Sequence, residues 1–339
     1  MKWLVALAAA LALLAGLVLG AAGWLLYTES GLRWAAGFAQ DALAGKLRLE
    51  GLRGALARAI EASSIRFEDE ATRVELRDAV VKLELLSILG GRAGISELHA
   101  KSLEVSLAPG PSDGKPPSPP RIPLGLRVGR ADVDRITLAL GGERWIVEGF
   151  SLRDAALQQT GAVSAALVFA LRHEQYPASA RLALRGTIER LEVAFDGRVA
   201  EIPAKGRALV TAFAARPLAE IDAQAGPLDL AKLNREWPST GLTAKLSAKA
   251  SPANALAGTL SARNSTPGPL DAQRIPVASL DTRFASKDFQ SASLQDLKVV
   301  LSPGGTLAGK GELGRAGVEL DVQVAEFDLR SVRSTLHAT

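Results

Sequence analysis

The sequence predicts a mainly β chain tethered by one N-terminal transmembrane helix. Two observations carry this. Trp3 to Tyr27 is a run of 25 residues without a charge, of which only Gly16, Gly20 and Gly23 fall outside the hydrophobic set. From Lys46 onward, apolar and polar residues alternate at a period of two, and turn signals separate the alternating runs. Strands with no long helical pattern between them disfavour a parallel βαβ architecture and predict a meandering antiparallel sheet.

At 1.5 Å rise per residue, the helical run reaches about 37 Å, enough to cross a hydrocarbon core of about 30 Å with some tilt. Trp3 lies at one end and Trp24 and Tyr27 at the other, where amphipathic rings favour the headgroup zone. Lys2 precedes the run and Glu29 follows it, so the positive-inside rule places the N-terminus in the cytoplasm and the rest of the chain outside. A cleavable signal peptide competes with this reading, since Gly20, Ala21 and Ala22 are small. The apolar run nevertheless continues through Leu26, past the roughly 7 to 15 residues expected before a cleavage site. Either reading exports the body. Without residues 1–27 the hydrophobic fraction falls from 47% to about 44%, which is ordinary for a water-exposed chain and excludes a polytopic channel.

Residues 28–45 predict a short amphipathic helix. Ser30 can cap it, Leu32, Ala35, Ala36, Ala39 and Leu43 share a face, and Trp34 and Phe38 lie on an adjoining side. This helix either lies on a membrane or plugs one end of the following sheet.

The first β segment, residues 46–108, contains the alternations Leu47 and Leu49, Val74 and Leu76, and Leu103, Val105 and Leu107. A second, elongated segment, residues 122–339, contains Ile136, Leu138 and Leu140; Leu182 and Leu184; Leu191, Val193 and Phe195; and Val318, Leu320, Val322 and Val324. Between the segments, residues 109–121 carry six prolines, which cannot belong to a sheet and predict a linker. Short helical inserts are predicted at Leu228 to Arg235 and near Leu86 to Leu89. The apolar face is mostly Leu, Val and Ala, with only 13 aromatic residues after Tyr27. That composition suits either a closed sandwich or an open trough filled by something else.

Charge and chemistry exclude several functions. The net charge of +4 is interspersed, without a basic cluster among aromatics, so nucleic acid is not a predicted partner. Cysteine is absent and the three histidines are far apart, which disfavours disulfides, thiolate chemistry and zinc. Gly304 to Lys310 has phosphate-loop spacing but Gly311 stands where a hydroxyl is needed, and Gly309 to Gly314 matches G-x-G-x-x-G; both read as hairpin turns because a strand pattern follows. Glu68, Asp69 and Glu70 read as a solvated turn, and Asn264-Ser265-Thr266 as a chance sequon. Neither a catalytic constellation nor a cofactor is predicted.

The arrangement also carries a resemblance. A membrane span, then Thr28-Glu29-Ser30-Gly31-Leu32, a short helix, and Leu47-Arg48-Leu49-Glu50-Gly51-Leu52-Arg53-Gly54 resembles the start of the TamB family, within the wider AsmA-like group. Val80 to Leu107, the Pro-rich insert and the restart at Ile122-Pro123-Leu124 are similar to the segments that follow. The resemblance implies a long curled antiparallel sheet whose open apolar groove carries phospholipid between the inner and outer membranes of a Gram-negative bacterium. The alternating apolar residues named above would line it. It also implies an inner-membrane anchor, a body in the periplasm, no enzymatic activity and, as an alternative role, a scaffold for outer-membrane β-barrel assembly or secretion in a translocation and assembly module. Family members continue for many hundreds of residues, so the chain is expected to be an N-terminal portion, with any barrel-docking region beyond Thr339.

Overall fold

A computed structural model describes residues 20–69, 72–89, 91–107, 119, 122, 124–140, 143–172, 177–214, 217–233, 236–251, 256–286, 291–314 and 317–335. Residues 1–19 of the predicted transmembrane span, and the Pro-rich linker apart from Pro119, lie outside them. Residues 20–27 are helical. Among the described residues no helix is long and apolar enough to cross a membrane.

Helix α1 (Glu29–Ala42) leads into β1 (Leu47–Glu50), β2 (Arg53–Gly54), β3 (Ala59–Glu68), β4 (Thr72–Leu83), α2 (Leu85–Leu89), β5 (Arg92–Leu107), β6 (Gly125–Leu140), β7 (Glu143–Leu157) and β8 (Ala162–Arg172). Next come β9 (Ala178–Thr187), β10 (Leu191–Val199), β11 (Ile202–Val210), β12 (Leu218–Leu228), α3 (Leu230–Leu233) and β13 (Leu242–Ala250). The series ends with β14 (Leu256–Asn264), β15 (Val277–Ser286), β16 (Ala292–Leu301), β17 (Thr306–Gly314) and β18 (Gly317–Ala325). Helices α2 and α3 occupy the two predicted inserts. The cap of α1 differs from expectation: Thr28, not Ser30, is extended at the boundary, and its Oγ1 accepts from the Gly31 N–H at 3.0 Å.

The chain divides into two compact units, Met1–Asp113 with Arg121–His173, and Gly114–Pro120 with Glu174–Thr339. In the first, β1 and β2 both pair with β3, and the series continues β3-β4-β5-β6-β7-β8. All of these pairs are antiparallel except β5–β6, which is parallel. The sheet is therefore mixed, which corrects the wholly antiparallel expectation. Parallel neighbours need a crossover of about a dozen residues or more. The 17 residues between β5 and β6, which include the Pro-rich segment, supply that length.

In the second unit β9 to β18 pair in chain order, every pair antiparallel. Its terminal strands, β9 and β18, are not paired to one another among the described residues. Within each unit the close backbone contacts among the described residues run between hydrogen-bonded neighbours. The strands of each unit form one continuous hydrogen-bonded series and not two separate sheets, which removes the closed sandwich.

The core of the first unit shows where simple alternation fails. Ala79, Ala100, Val133 and Ile136 form one buried cluster, with Ile65, Leu76, Leu103, Leu138, Val147 and Phe150 against it. Leu76 and Ala79 are three residues apart, as are Ala100 and Leu103, so a strict period of two would put them on opposite faces. The phase is reset between them. In β4 the reset coincides with Asp78, whose φ of 49° lies in the left-handed region that short polar side chains tolerate. Leu152-Arg153-Asp154-Ala155 and Leu294-Gln295-Asp296-Leu297 repeat the pattern, with φ of 48° at Asp154 and 51° at Asp296, both beside register shifts. Ala100 has no exposed surface. Replacing it with leucine overpacks the cluster and is expected to cost about 1–3 kcal/mol in chemical denaturation, with an unchanged circular dichroism spectrum.

Candidate functional site

Directly paired residues point to the same face of a sheet, so register defines each face. In the second unit one row crosses all ten strands: Leu184, Val193, Ala208, Ile221, Ala248, Gly258, Phe284, Leu294, Gly311 and Leu320. Parallel rows on the same face hold Leu182 with Phe195, Leu191 with Val210, and Leu307 with Val324. Val318 and Val322 also lie on it, opposite Leu313 and Gly309. Among the paired residues of β9 to β18, no charged side chain falls on this face.

The polar atoms that do occur there are bonded. The Thr282 hydroxyl donates to the Gln295 carbonyl at 3.0 Å, and the Ser286 hydroxyl to the Ser291 carbonyl at 2.6 Å. Asn264 Oδ1, at the end of β14, accepts from Gly241 N at 3.0 Å and Thr266 N at 3.2 Å. A buried hydroxyl bonded to backbone presents little polarity to a neighbouring hydrocarbon. Glycine at 206 allows close approach, since a Cβ there would lie 2.2 Å from the Asp222 carbonyl and 2.8 Å from the Phe195 ring. The Phe195 ring thus covers the gap and keeps the row apolar.

The opposite face is charged. Arg181, Asp196, Lys205, Gln224, Lys245, Ser261, Asp281 and Lys298 are successive partners. Ion pairs Lys249–Glu220 and Arg263–Asp281, both 2.9 Å, cross neighbouring strands there. A depression of about 750 Å³ on this side has Asp196, Lys205, Arg207, Asp222 and Lys245 in its wall, so it does not suit an acyl chain.

The first unit has the same two-sidedness. Leu49, Ile65, Leu76, Leu103, Ile136 and Val147 form one register row, and Leu47, Phe67, Val74, Val105, Leu138 and Trp145 the next. Leu107 is paired with Leu140 beyond them. All the alternating residues predicted from β1, β4, β5 and β6 therefore share one face, and all those from β9, β10 and β18 share the other unit's apolar face. Sequence reasoning missed Ala79, Ala100, Val133, Phe150, Leu246, Leu260 and Leu294. For Leu246 and Leu260 the signal was present, in the alternations LTAKLSAKA and LAGTLSARN.

Behind the apolar face of the first unit, Glu75 is buried among three guanidinium groups. Arg77 Nε lies 2.9 Å from its carboxylate, an Arg66 nitrogen 3.2 Å and an Arg73 nitrogen 3.6 Å. Hydrogen bonds from Arg77 and Arg66 hold its pKa at about 2. Burial of Asp132 opposes its ionisation, but hydrogen bonds from Ser151, Arg130 and Arg153 outweigh this and bring its pKa to about 2 as well. Each carboxylate is fully engaged, which suits a structural ion pair and not proton transfer. Among the described residues no group of three His, Cys, Asp or Glu side chains could hold a metal ion. The glycine motifs at Gly304 to Gly314 lie in the β16–β17 turn and in β17, which runs into strand β18 and not into a phosphate-binding helix. Asn264 is buried, so the sequon is not presented to solvent.

The family model described as TamB, N-terminal domain, matches residues 18–201, more than half of the chain. No curated protein and no solved structure matches it. With that match lying over α1, the first unit's strands and the start of the second unit, the chain belongs to the TamB N-terminal domain family.

Proposed function

We propose that the chain is an inner-membrane-anchored periplasmic protein that carries phospholipid along the apolar faces of its sheets, on the way between inner and outer membranes. One observation carries this reading: the uncharged row from Leu184 to Leu320, which runs unbroken over ten successively paired strands. A lipid crossing water exposes CH₂ groups at roughly 0.8 kcal/mol each, so an unbroken aliphatic strip removes most of that barrier. Because Leu, Val, Ala and Gly recur along the row without a single strong site, an acyl chain can slide along it. Leu47, Leu49, Val74, Leu76, Leu103, Val105, Leu107, Ile136, Leu138 and Leu140 would line the first unit's share. Leu182, Leu184, Leu191, Val193, Phe195, Val318, Leu320, Val322 and Val324 would line the second's.

The scaffold reading draws support from β18, whose Val318, Leu320 and Val324 are exposed and whose outer edge can accept a further strand. Purifying residues 28–339 and analysing bound lipid by mass spectrometry separates the two. Stoichiometric phospholipid is expected. A lipid-free body that captures unfolded barrel strands would favour the scaffold.

A further inference from the structure

The first residues after the anchor form a fixed elbow. Helical residues 20–27 and α1 are separated by Thr28 alone, whose backbone is extended at φ −117° and ψ 153°. Its hydroxyl donates to the Trp24 carbonyl at 2.6 Å and accepts from the Gly31 N–H at 3.0 Å, tying both helices to one side chain. Gly31 is required by the bend: a Cβ there would lie 2.5 Å from the carbonyl oxygens of Trp24 and Leu25. The Leu26 carbonyl accepts from the Ala57 N–H at 2.8 Å, which fastens the same elbow to the turn before β3.

Helix α1 uses its two sides differently. Gly31, Leu32 and Ala36 are buried, and Gln40 accepts from the Leu49 N–H of β1. Trp34 and Phe38, one turn apart, stack with ring centroids 6.1 Å apart and remain 58% and 66% exposed. Tyr27 and Trp24 are exposed beside the elbow. Exposed aromatic rings at the end of a 25-residue uncharged run and on the helix that follows it fit the headgroup zone of a bilayer, where an apolar body and a polar surround coexist. Affinity need not be high, because the anchor makes contact intramolecular.

We propose that the Trp34–Phe38 side of α1 rests on the lipid surface while its other side closes the sheet end, so that the start of the apolar strip is held level with the headgroups. The partner is the bilayer itself. This rests on the anchor reading of Trp3 to Tyr27, and the test distinguishes the two.

The chain has no cysteine, so Gly37→Cys introduces a single labelling site. It lies three residues after Trp34, and a Cβ there meets nothing within 4 Å. The full chain carries an environment-sensitive fluorophore at this position, in liposomes of phosphatidylethanolamine and phosphatidylglycerol containing a shallow nitroxide-lipid quencher. Quenching at least about twofold stronger than at a Lys245→Cys control on the charged face of the second unit is expected. Adding Trp34→Ser and Phe38→Ser should bring it down to the control. Equal quenching at both sites, in protein that stays with the liposomes through an alkaline wash, overturns the seat and leaves the anchor standing. Disulfide cross-linking between two copies at position 37 without lipid quenching assigns the rings to a second copy instead. Release in the alkaline wash removes the anchor and the seat together.

Discussion

Replacing Val193 with glutamate is expected to lower lipid transfer by a factor of about 30 to 150 while the protein remains folded. Val193 stands in the row that spans β9 to β18, between Leu184 and Ala208. A passing acyl chain must either lie against the carboxylate or lift off the strip there. Losing contact over about three CH₂ groups costs roughly 2–3 kcal/mol, which sets the factor. The fold survives because Val193 is only partly buried, so the new charge stays hydrated and avoids the cost of a buried ion. Leu320→Lys tests the same point in β18, where Leu320 is already 50% exposed. Transfer between donor and acceptor vesicles by the full chain, together with its thermal melt, checks both. Global unfolding of either variant would mean that the face is a protein core, and the lipid path would have to be abandoned.

The second large effect is on stability. Glu75→Gln leaves Arg66, Arg73 and Arg77 around a neutral amide and is expected to cost about 2–3 kcal/mol. This is below the roughly 3–5 kcal/mol of a fully buried pair, because the arginines are partly exposed. The wild-type protein carries a matching pH dependence. The folded-state pKa values of Glu75 and Asp132 are near 2, below their unfolded values of about 4. Their contribution is therefore complete above about pH 4 and is lost as pH falls from about 4 toward 2. Denaturant midpoints between pH 6 and pH 2.5 should fall for the wild type and fall less for Glu75→Gln. Identical slopes would show that Glu75 is not held by its arginines.

Much of this fold is readable residue by residue. In β10 and β18 the apolar residues alternate strictly, so both the strand and its two faces can be assigned from Leu191-Glu192-Val193 or Val318-Glu319-Leu320 alone. In β4 to β7 they cannot. A reader holding to period two loses Ala79, Ala100, Val133 and Phe150, because the backbone turns at Asp78 and Gly149 and the paired strands between them change phase with it. The repeated Leu-Arg-Asp-Ala was available in the sequence, but its meaning rests on a φ angle that composition does not reveal. The cap shows the same limit at short range: Ser30 and Thr28 are both plausible by residue type, and the contact of residues 24–25 with Gly31 decides for Thr28.

The sequence by itself determined that the chain is β-rich and two-sided, that it contains no cysteine, and that an uncharged 25-residue segment precedes the body. These follow from local pattern, since burial on one face imposes its period directly on neighbouring residues. Only the tertiary structure decided that β5 and β6 run parallel, that the separate alternations align into continuous strips, and that each unit's strands join one series instead of two sheets. Register and layering are set by partners tens of residues apart. An alternating strand has the same sequence whether its dry side meets a second sheet or is left open for a lipid.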